Sequence, residues 1–517
     1  MSAGAAQAAG ELDPVLAGLP PRRGLGSRLV AVVRGHRALA ALLVLAAAIR
    51  VAVLVTYPSG LFFPDSWAYM DLAWRRFPFD LAPDRPSGYA LVIRLFAVGH
   101  HVLPLLIVQH IAGLAVAAIA YIVLTSLGVR RWWAVVVAAI VAFDGYAIAL
   151  QQFVMSEPTF TLLAISALAL AVMCRGTWVL ALSGLLAAAA CLVRTEGLVL
   201  IPLLLLYALW RQRGAKAVIA MTVAMLLPLA GYAAVVHVKY HRFTLTAADG
   251  WFLYGRVGPF ATCRGVNVPA DQRFLCTDSF QRPNRSASSY VYDPDSPINR
   301  HYGTHGPFMA TSKLVESSTR ARRFALRIIR AHPGAYADAV AASFFRYFAP
   351  GTGSFDPDSD VALKLPARRP PPPPPDEAAV QRRVQPRYKP SAGALAPALH
   401  RYQAIVHTPR WLLAIAALLS LAALATAPVR RRRARSSSPE IALFSGAAVG
   451  MFLLSALGAE FILRYSVPAE PLLLIGGALT LRDLLPRGAE HPVRRHRPAR
   501  PWTTREPVPA ERPAEEG

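Results

Sequence analysis

Acidic residues are scarce in this chain. Asp and Glu number 30 against 55 Lys and Arg, which leaves a formal net charge of +25. Cysteine is scarcer still, with four in 517 residues, too few for a disulfide-built scaffold. No repeat recurs at a fixed period, which excludes a solenoid or propeller array. The first apolar segment is preceded by a long tail and followed by no small-residue cleavage site, so it is expected to remain as a membrane span and not to be removed as a signal. In a soluble protein a cationic surplus of this size would point to nucleic acid. No nucleic-acid partner is expected here, because much of the charge lies in short loops between apolar blocks, where it faces cytoplasm and anionic lipid.

What the chain has in abundance is apolar sequence. Hydrophobic residues make up 54% of it. They cluster in blocks of roughly 16–25 residues, the length that crosses a bilayer as a helix. This pattern excludes a soluble enzyme, a disulfide-rich secreted domain and a β-barrel. The expected fold class is an all-α polytopic membrane protein with about ten transmembrane helices. Their expected positions are 38–57, 103–127, 132–143, 158–173, 178–193, 197–210, 217–236, 409–427, 441–457 and 468–481. The fifth and sixth are split at Arg194-Thr195-Glu196, because one span would be too long and would carry two charges at its centre.

The organisation that follows has five parts. Residues 1–37 form a disordered cytoplasmic tail, and 38–237 a membrane module of seven spans with a first outer loop at 58–102. Residues 238–408 form an exoplasmic region with a Pro-rich linker at 366–375, residues 409–486 the last three spans, and 487–517 a second disordered cytoplasmic tail. The cytoplasmic loops hold Arg130, Arg131, Arg175, Arg211, Arg213, Lys216, Arg430 to Arg433 and Arg435; the opposite short loops hold Asp144, Glu157, Glu196 and Glu460. That asymmetry places both termini in the cytoplasm of a multi-pass cell-membrane protein. The first outer loop runs against it, with Arg75, Arg76, Arg85 and Arg94.

Five short motifs fall on the outer face. They read Phe62-Phe63-Pro64-Asp65-Ser66-Trp67-Ala68-Tyr69, Arg85-Pro86-Ser87-Gly88-Tyr89, Val154-Met155-Ser156-Glu157-Pro158, Val193-Arg194-Thr195-Glu196-Gly197, and Phe461-Ile462-Leu463-Arg464-Tyr465-Ser466-Val467-Pro468. A charge at a helix end beside hydrocarbon is costly, so each needs a partner or a task. Each also has a plain structural alternative. Asp65 suits a helix N-cap, Glu157 a helix N-terminus, Arg464 an interfacial anchor, and Arg194 a local pair with Glu196. Arg50, deep in the first span, is expensive wherever it lies.

The order and shared side of these motifs resemble the GT-C superfamily of integral membrane glycosyltransferases, near its protein O-mannosyltransferase and aminoarabinose transferase branch. The matching positions are Asp65, Ser156-Glu157-Pro158, Arg194-Thr195-Glu196-Gly197 and Arg464-Tyr465-Ser466-Val467-Pro468. The resemblance covers residues 38–236 and 441–481; the outer region between them is not diagnostic. It implies an inverting hexosyl- or pentosyltransferase. The partners would be a polyprenyl-phosphate-linked sugar, membrane lipids and an envelope acceptor that is a polysaccharide, a glycolipid or a protein. The active site would be on the outer face. Asp65 would be the general base. Arg464 and Arg194, with Arg50, Lys239 and Arg242 behind them, would hold the donor phosphate. Glu157 would bind acceptor or share a divalent metal, Mg or Mn, with Asp65; no cofactor is implied with certainty. The rival readings are a lipid or sugar transporter or flippase, and a non-catalytic scaffold of an envelope-synthesis complex.

Three weaker features remain. Cys263 and Cys276 lie in the exoplasmic region and are expected to oxidise together. His237/His241 and His301/His305 have i,i+4 spacing, but no third ligand is in register for zinc. Over 319–330, Arg320, Arg323, Arg327 and Arg330 share one helical face, and Phe324, Ala325, Ile328 and Ile329 the other. Such a helix suits either the bilayer surface or packing within the exoplasmic region.

Overall fold

Every backbone N–H and C=O inside hydrocarbon needs a partner, so the apolar runs fold as helices. The computed structural model describes residues 35–74, 81–280, 286–349, 363–372, 375–386, 388–427 and 437–485. Outside the described residues lie nearly all of both expected tails, Arg75, Arg76, and the arginines at 430–433 and 435. Contacts divide the chain into Met1–Asp483 and Leu484–Gly517; of the second, Leu484 and Leu485 are described.

The helices of the first half are α1 (Arg37–Thr56), α2 (Pro64–Trp74), α3 (Gly88–Phe96), α4 (Leu103–Ser126), α5 (Arg131–Phe143), α6 (Gly145–Gln152), α7 (Glu157–Met173) and α8 (Thr177–Val193). A 3₁₀ turn at Thr195–Val199 leads to α9 (Leu200–Trp210) and α10 (Ala215–Tyr240). The region expected to be exoplasmic carries α11 (Asp249–Val257), α12 (Ala287–Tyr292), α13 (Pro297–Tyr302), α14 (Thr311–Ala331) and α15 (Pro333–Arg346). The chain ends in α16 (Pro375–Val384), α17 (Ala396–Ile405), α18 (Arg410–Ala425), α19 (Ser438–Gly458) and α20 (Glu470–Leu484).

Among the described residues there is no strand, and the chain is an all-helical polytopic membrane protein. Five helices are long and apolar enough to cross a membrane: α1, α4, α10, the joined stretch Ala396–Ala425, and α19. A sixth is counted if α5 and α6, bent by 45° at Asp144, form one span. The expected ten are not reached on length, because α7 and α8 have 17 residues each, α9 has 11 and α20 has 15. The bend has a local cause. Asp144 leaves helical geometry and its carboxylate accepts from the Ala147 N–H at 2.7 Å, capping α6. It also accepts from the Thr408 N–H at 2.6 Å.

Two devices bring the outer loops together. After α1 the chain pairs with the α6–α7 connection: the Leu61 N–H donates to the Gln152 carbonyl and the Val154 N–H to the Leu61 carbonyl, both at 3.1 Å. This sets the start of α2 beside the start of α7. The loop at 81–88 is held by the end of α10 and the segment after it. Tyr240 Oη donates to the Leu81 carbonyl at 2.8 Å, and the Ala247 and Ala248 N–H groups donate to the Pro83 carbonyl at 2.7 and 3.0 Å. At its far end Gly88 packs so tightly on α8 that a Cβ would stand 2.4 Å from the Leu192 carbonyl oxygen.

The described part of 238–408 divides in two. The described residues of 247–328, with Leu81, Val236 and Tyr240, share a core around Trp251, Tyr254, Tyr290, Phe324 and Ile328, all fully buried. Leu363, Leu365, Val384 and Leu399 instead belong to the core of the membrane module. The segment expected as a Pro-rich linker, 366–375, is described up to Pro372, and the Pro366 carbonyl accepts from Tyr57 Oη at 2.7 Å. The amphipathic stretch lies within α14. Phe324, Ala325 and Ile328 are buried in the outer core, so the apolar face packs within that region and not on lipid. Phe324→Ala is expected to cost the outer core about 3–5 kcal/mol. The check is limited proteolysis, which should cut within 247–328 in the variant before it cuts the spans.

Candidate active site

Four of the five outer motifs meet in one charged cluster, and the fifth, at Arg85, joins it. Asp65 sits in the first turn of α2, with 23% of its side chain open. Its Oδ2 lies 2.5 Å from Arg464 Nη2 and its Oδ1 3.0 Å from Arg85 Nη2. Arg85 also grips Asp84 through Nε and Nη2, at 2.9 and 2.6 Å. Arg194, in the break between α8 and the 3₁₀ turn, reaches Glu157 Oε1 at 2.6 Å and Glu196 Oε1 at 2.7 Å. Its Nη1 also donates to Ser156 Oγ at 3.1 Å, and that hydroxyl bonds Tyr69 at 3.1 Å. Arg464 links the two halves, with its Nε 3.9 Å from Glu157 Oε1.

Aromatic rings pack on the guanidinium groups. Arg464 lies 4.7 Å from the Phe63 ring centre and 5.0 Å from that of Tyr465, which Arg194 also approaches at 5.0 Å. Arg85 lies 4.8 Å from Tyr69. Planar, weakly hydrated guanidinium stacks on aromatic faces more readily than an ammonium does.

The electrostatics favour the charged forms of Asp65, Arg464 and Glu196. Burial would raise the Asp65 carboxyl, but the charges of Arg464 and Arg85 and their hydrogen bonds outweigh it and hold it well below the usual carboxylate range. Burial works against the Arg464 charge, and Asp65, Tyr465 and Glu157 outweigh that and keep it protonated. Burial raises Glu196 and Arg194 overrides it, so Glu196 is lowered. Arg464 is 8% exposed, and its buried Nε and Nη1 have no hydrogen-bond partner. A buried charged donor without an acceptor is costly, and an anionic oxygen would answer it.

The remaining sequence candidates lie elsewhere. Arg50 is buried in the bundle, donating from Nε to Gln151 Oε1 at 2.9 Å and from Nη1 to the Ala46 and Ala142 carbonyls at 3.0 and 2.9 Å. The Ala142 carbonyl belongs to the last turn of α5, where a cation is favoured. Arg242 pairs at 2.7 Å with Asp249, the first residue of α11. Lys239 reaches the Leu81 carbonyl at 3.4 Å and helps anchor the loop that carries Arg85. Cys263 and Cys276 are joined as a disulfide. Glu460, expected on the outer face, caps α12 by accepting from the Ala287 and Ser288 N–H groups at 2.9 and 3.3 Å. Asp84 and Arg85 had no assigned role in the sequence reading, and the acid–base pair Asp84-Arg85 between two prolines was the available signal.

A divalent metal does not fit Asp65 and Glu157 as they stand. Each carboxylate is answered by guanidinium, which repels a cation. Among the described residues, the group of possible ligands that does converge, Cys263, Cys276 and Asp278, has both sulfurs committed to the disulfide.

No protein-family model matches the chain, and no curated protein does. Two solved structures are similar to it. One is archaeal oligosaccharyltransferase AglB from Archaeoglobus fulgidus, in complex with an inhibitory peptide and a dolichol-phosphate; it is 15% identical over 87% of this chain and 50% of that one, with a TM-score of 0.36. The other is ArnT from Cupriavidus metallidurans bound to undecaprenyl phosphate, 16% identical over 85% of this chain and 77% of that one, with a TM-score of 0.31. The chain thus spans about half the length of the archaeal protein.

Proposed function

We propose that the chain is a GT-C-type membrane glycosyltransferase that moves a sugar from a polyprenyl phosphate to an envelope acceptor on the outer face of the cell membrane. The observation that carries this reading is the convergence of Asp65, Arg194, Glu157 and Arg464 from four segments, with two buried Arg464 N–H-bearing nitrogens left for an anion. On this reading α7, α8, α9 and α20 are also spans, both termini are cytoplasmic, and no metal is used.

The donor phosphate would bind the free nitrogens of Arg464. The acceptor oxygen would attack the anomeric carbon from the face opposite the phosphate. The bond between that carbon and the phosphate oxygen breaks, the electron pair leaves with the phosphate, and the acceptor proton passes to Asp65. Charge growing on the leaving phosphate is stabilised by fixed guanidinium. Arg464 would therefore serve two anions, Asp65 through Nη2 and the phosphate through Nε and Nη1. A phosphate that shares this guanidinium weakens its hold on Asp65 and raises the basicity of that carboxylate as the donor is seated.

The test is turnover in lipid nanodiscs, with undecaprenyl-phosphate sugars as donors and an envelope extract as acceptor. Appearance of free undecaprenyl phosphate together with a glycosylated product supports the reading. Sugar-lipid crossing the bilayer with its sugar still attached would overturn it in favour of a flippase.

A further inference from the structure

The charged cluster rests on a closed circuit of contacts. Gln109, in α4 and fully buried, closes it. Tyr89, the second residue of α3, donates from Oη to Gln109 Oε1 at 2.5 Å. Gln109 Nε2 donates to the Gln151 and Phe153 carbonyls at 2.9 and 2.8 Å. From Phe153 the chain runs on to Ser156, whose hydroxyl bonds that of Tyr69 at 3.1 Å. The Tyr69 ring then meets the Tyr89 ring edge-on, with centres 4.9 Å apart.

Two arginines of the cluster sit on this circuit. Arg85 stacks on the Tyr69 ring at 4.8 Å, in the segment that leads into Tyr89. Arg194 donates to Ser156 Oγ at 3.1 Å. The Asp65 segment is tied in as well. Leu61 pairs with Gln152 and Val154, and Ser66 Oγ lies 3.7 Å from Met155 Sδ. The Gln109 amide thus uses its oxygen and its nitrogen to join the segments that carry Arg85 and Glu157. Leucine there would fill the volume and make none of the three bonds. Losing one leaves a polar group unanswered inside an apolar bundle. Support of this kind matters to a reaction, because a displacement of about 1 Å can cost 10²-fold in rate.

We propose that Gln109 and Tyr89 are positioning residues, which touch no reacting atom and hold Arg85 and Arg194 where Asp65 and the donor phosphate need them. Asp65 supplies the readout. It faces Arg85 and Arg464, with Asp84 behind the first and Glu157 behind the second. The two guanidinium groups hold its carboxyl low. Opening the circuit removes support from Arg85, weakens its hold on Asp65 and lets that carboxyl rise. The kinetic arm of the test rests on the transferase reading, and the stability arm does not.

The test compares Tyr89→Phe and Gln109→Leu with wild type, as full chains in nanodiscs. Tyr89→Phe keeps the aromatic ring and removes one hydrogen bond. The thermal transition is followed against pH. So is kcat/KM, for whichever of undecaprenyl-phosphate mannose and undecaprenyl-phosphate arabinose wild type turns over. In wild type the Asp65 contribution to stability is present above the ordinary carboxyl value and fades as pH falls through the lowered one. Both variants are expected to begin that fade at a higher pH and to move the acid limb of kcat/KM the same way. At neutral pH kcat/KM is expected to fall about tenfold in Tyr89→Phe and about 10²-fold in Gln109→Leu. Gln403→Leu is the control. That amide is buried in α17, where it bonds the Leu365 N–H and the Leu363 carbonyl. Its loss should lower the thermal transition at every pH and leave both acid limbs in place. With Asp65→Asn present, Tyr89→Phe should no longer move the stability limb. Unmoved limbs in both variants, an equal shift in Gln403→Leu, or a stability shift that survives Asp65→Asn would overturn the inference. If wild type turns over neither donor while the stability limb still moves through Asp65, the transferase reading fails and the positioning role stands. If turnover is found and both limbs stay in place, the transferase reading stands and the positioning role falls.

Discussion

Arg464→Gln is expected to lower sugar transfer by about 10²–10³, the usual loss when one fixed donor to a developing negative charge is removed. Three observations set the expectation. The side chain is almost fully buried, two of its nitrogens have no hydrogen-bond partner, and among the described residues it is the one that forms ion pairs with both Asp65 and Glu157. The variant should still fold, because Asp65 keeps Arg85 and Glu157 keeps Arg194. Arg464→Lys should not rescue it fully, since an ammonium is a point charge and cannot hold Asp65 and a phosphate through separate nitrogens of one plane. Arg242→Gln is the informative control. That residue pairs with Asp249 in α11 and not with the charged cluster, so its loss should leave kcat nearly unchanged. The measurement is kcat and KM for an undecaprenyl-phosphate sugar in nanodiscs. Equal losses from Arg464→Gln and Arg242→Gln would count against the phosphate assignment.

The helical membrane fold and the charged cluster were legible in the sequence to different degrees, for physical reasons. Apolar runs declare helices because hydrocarbon leaves the backbone no alternative. They declare spans less well: α9 has 11 residues and α20 has 15, and hydropathy does not say where a helix ends inside a bundle. The bend at Asp144 shows the same limit. A carboxylate at an apolar segment's end reads as a loop, and its work as cap of α6 is visible only once Ala147 and Thr408 are in place. Asp65, Glu157, Arg194 and Arg464 stood out because charge is expensive beside lipid. Arg50 stood out by the same logic, yet its answer is a pair of carbonyls and Gln151. Cost flags a residue without naming its partner.

Asp65→Asn is expected to lower transfer by about 10²–10⁴, the range for loss of a general base. The pH dependence is the sharper test. The folded carboxyl lies below its ordinary value of about 3.9, so its contribution to stability is fully present above that value and fades as pH falls through the depressed one. The same depression governs catalysis. The profile of kcat/KM reports the free protein, so it should show no inflection from Asp65 between about pH 5 and 8. The profile of kcat reports the donor complex. There the phosphate competes for Arg464 and adds its own negative charge, so the acid limb should move upward. Arg85→Gln removes the other guanidinium beside Asp65 and should move the acid limb of both profiles upward. If the limb in kcat/KM already stood near neutral pH in wild type and Arg85→Gln left it there, another group would be the base. Glu157 would then be the residue to replace, since it shares Arg464 and Arg194 with the same site.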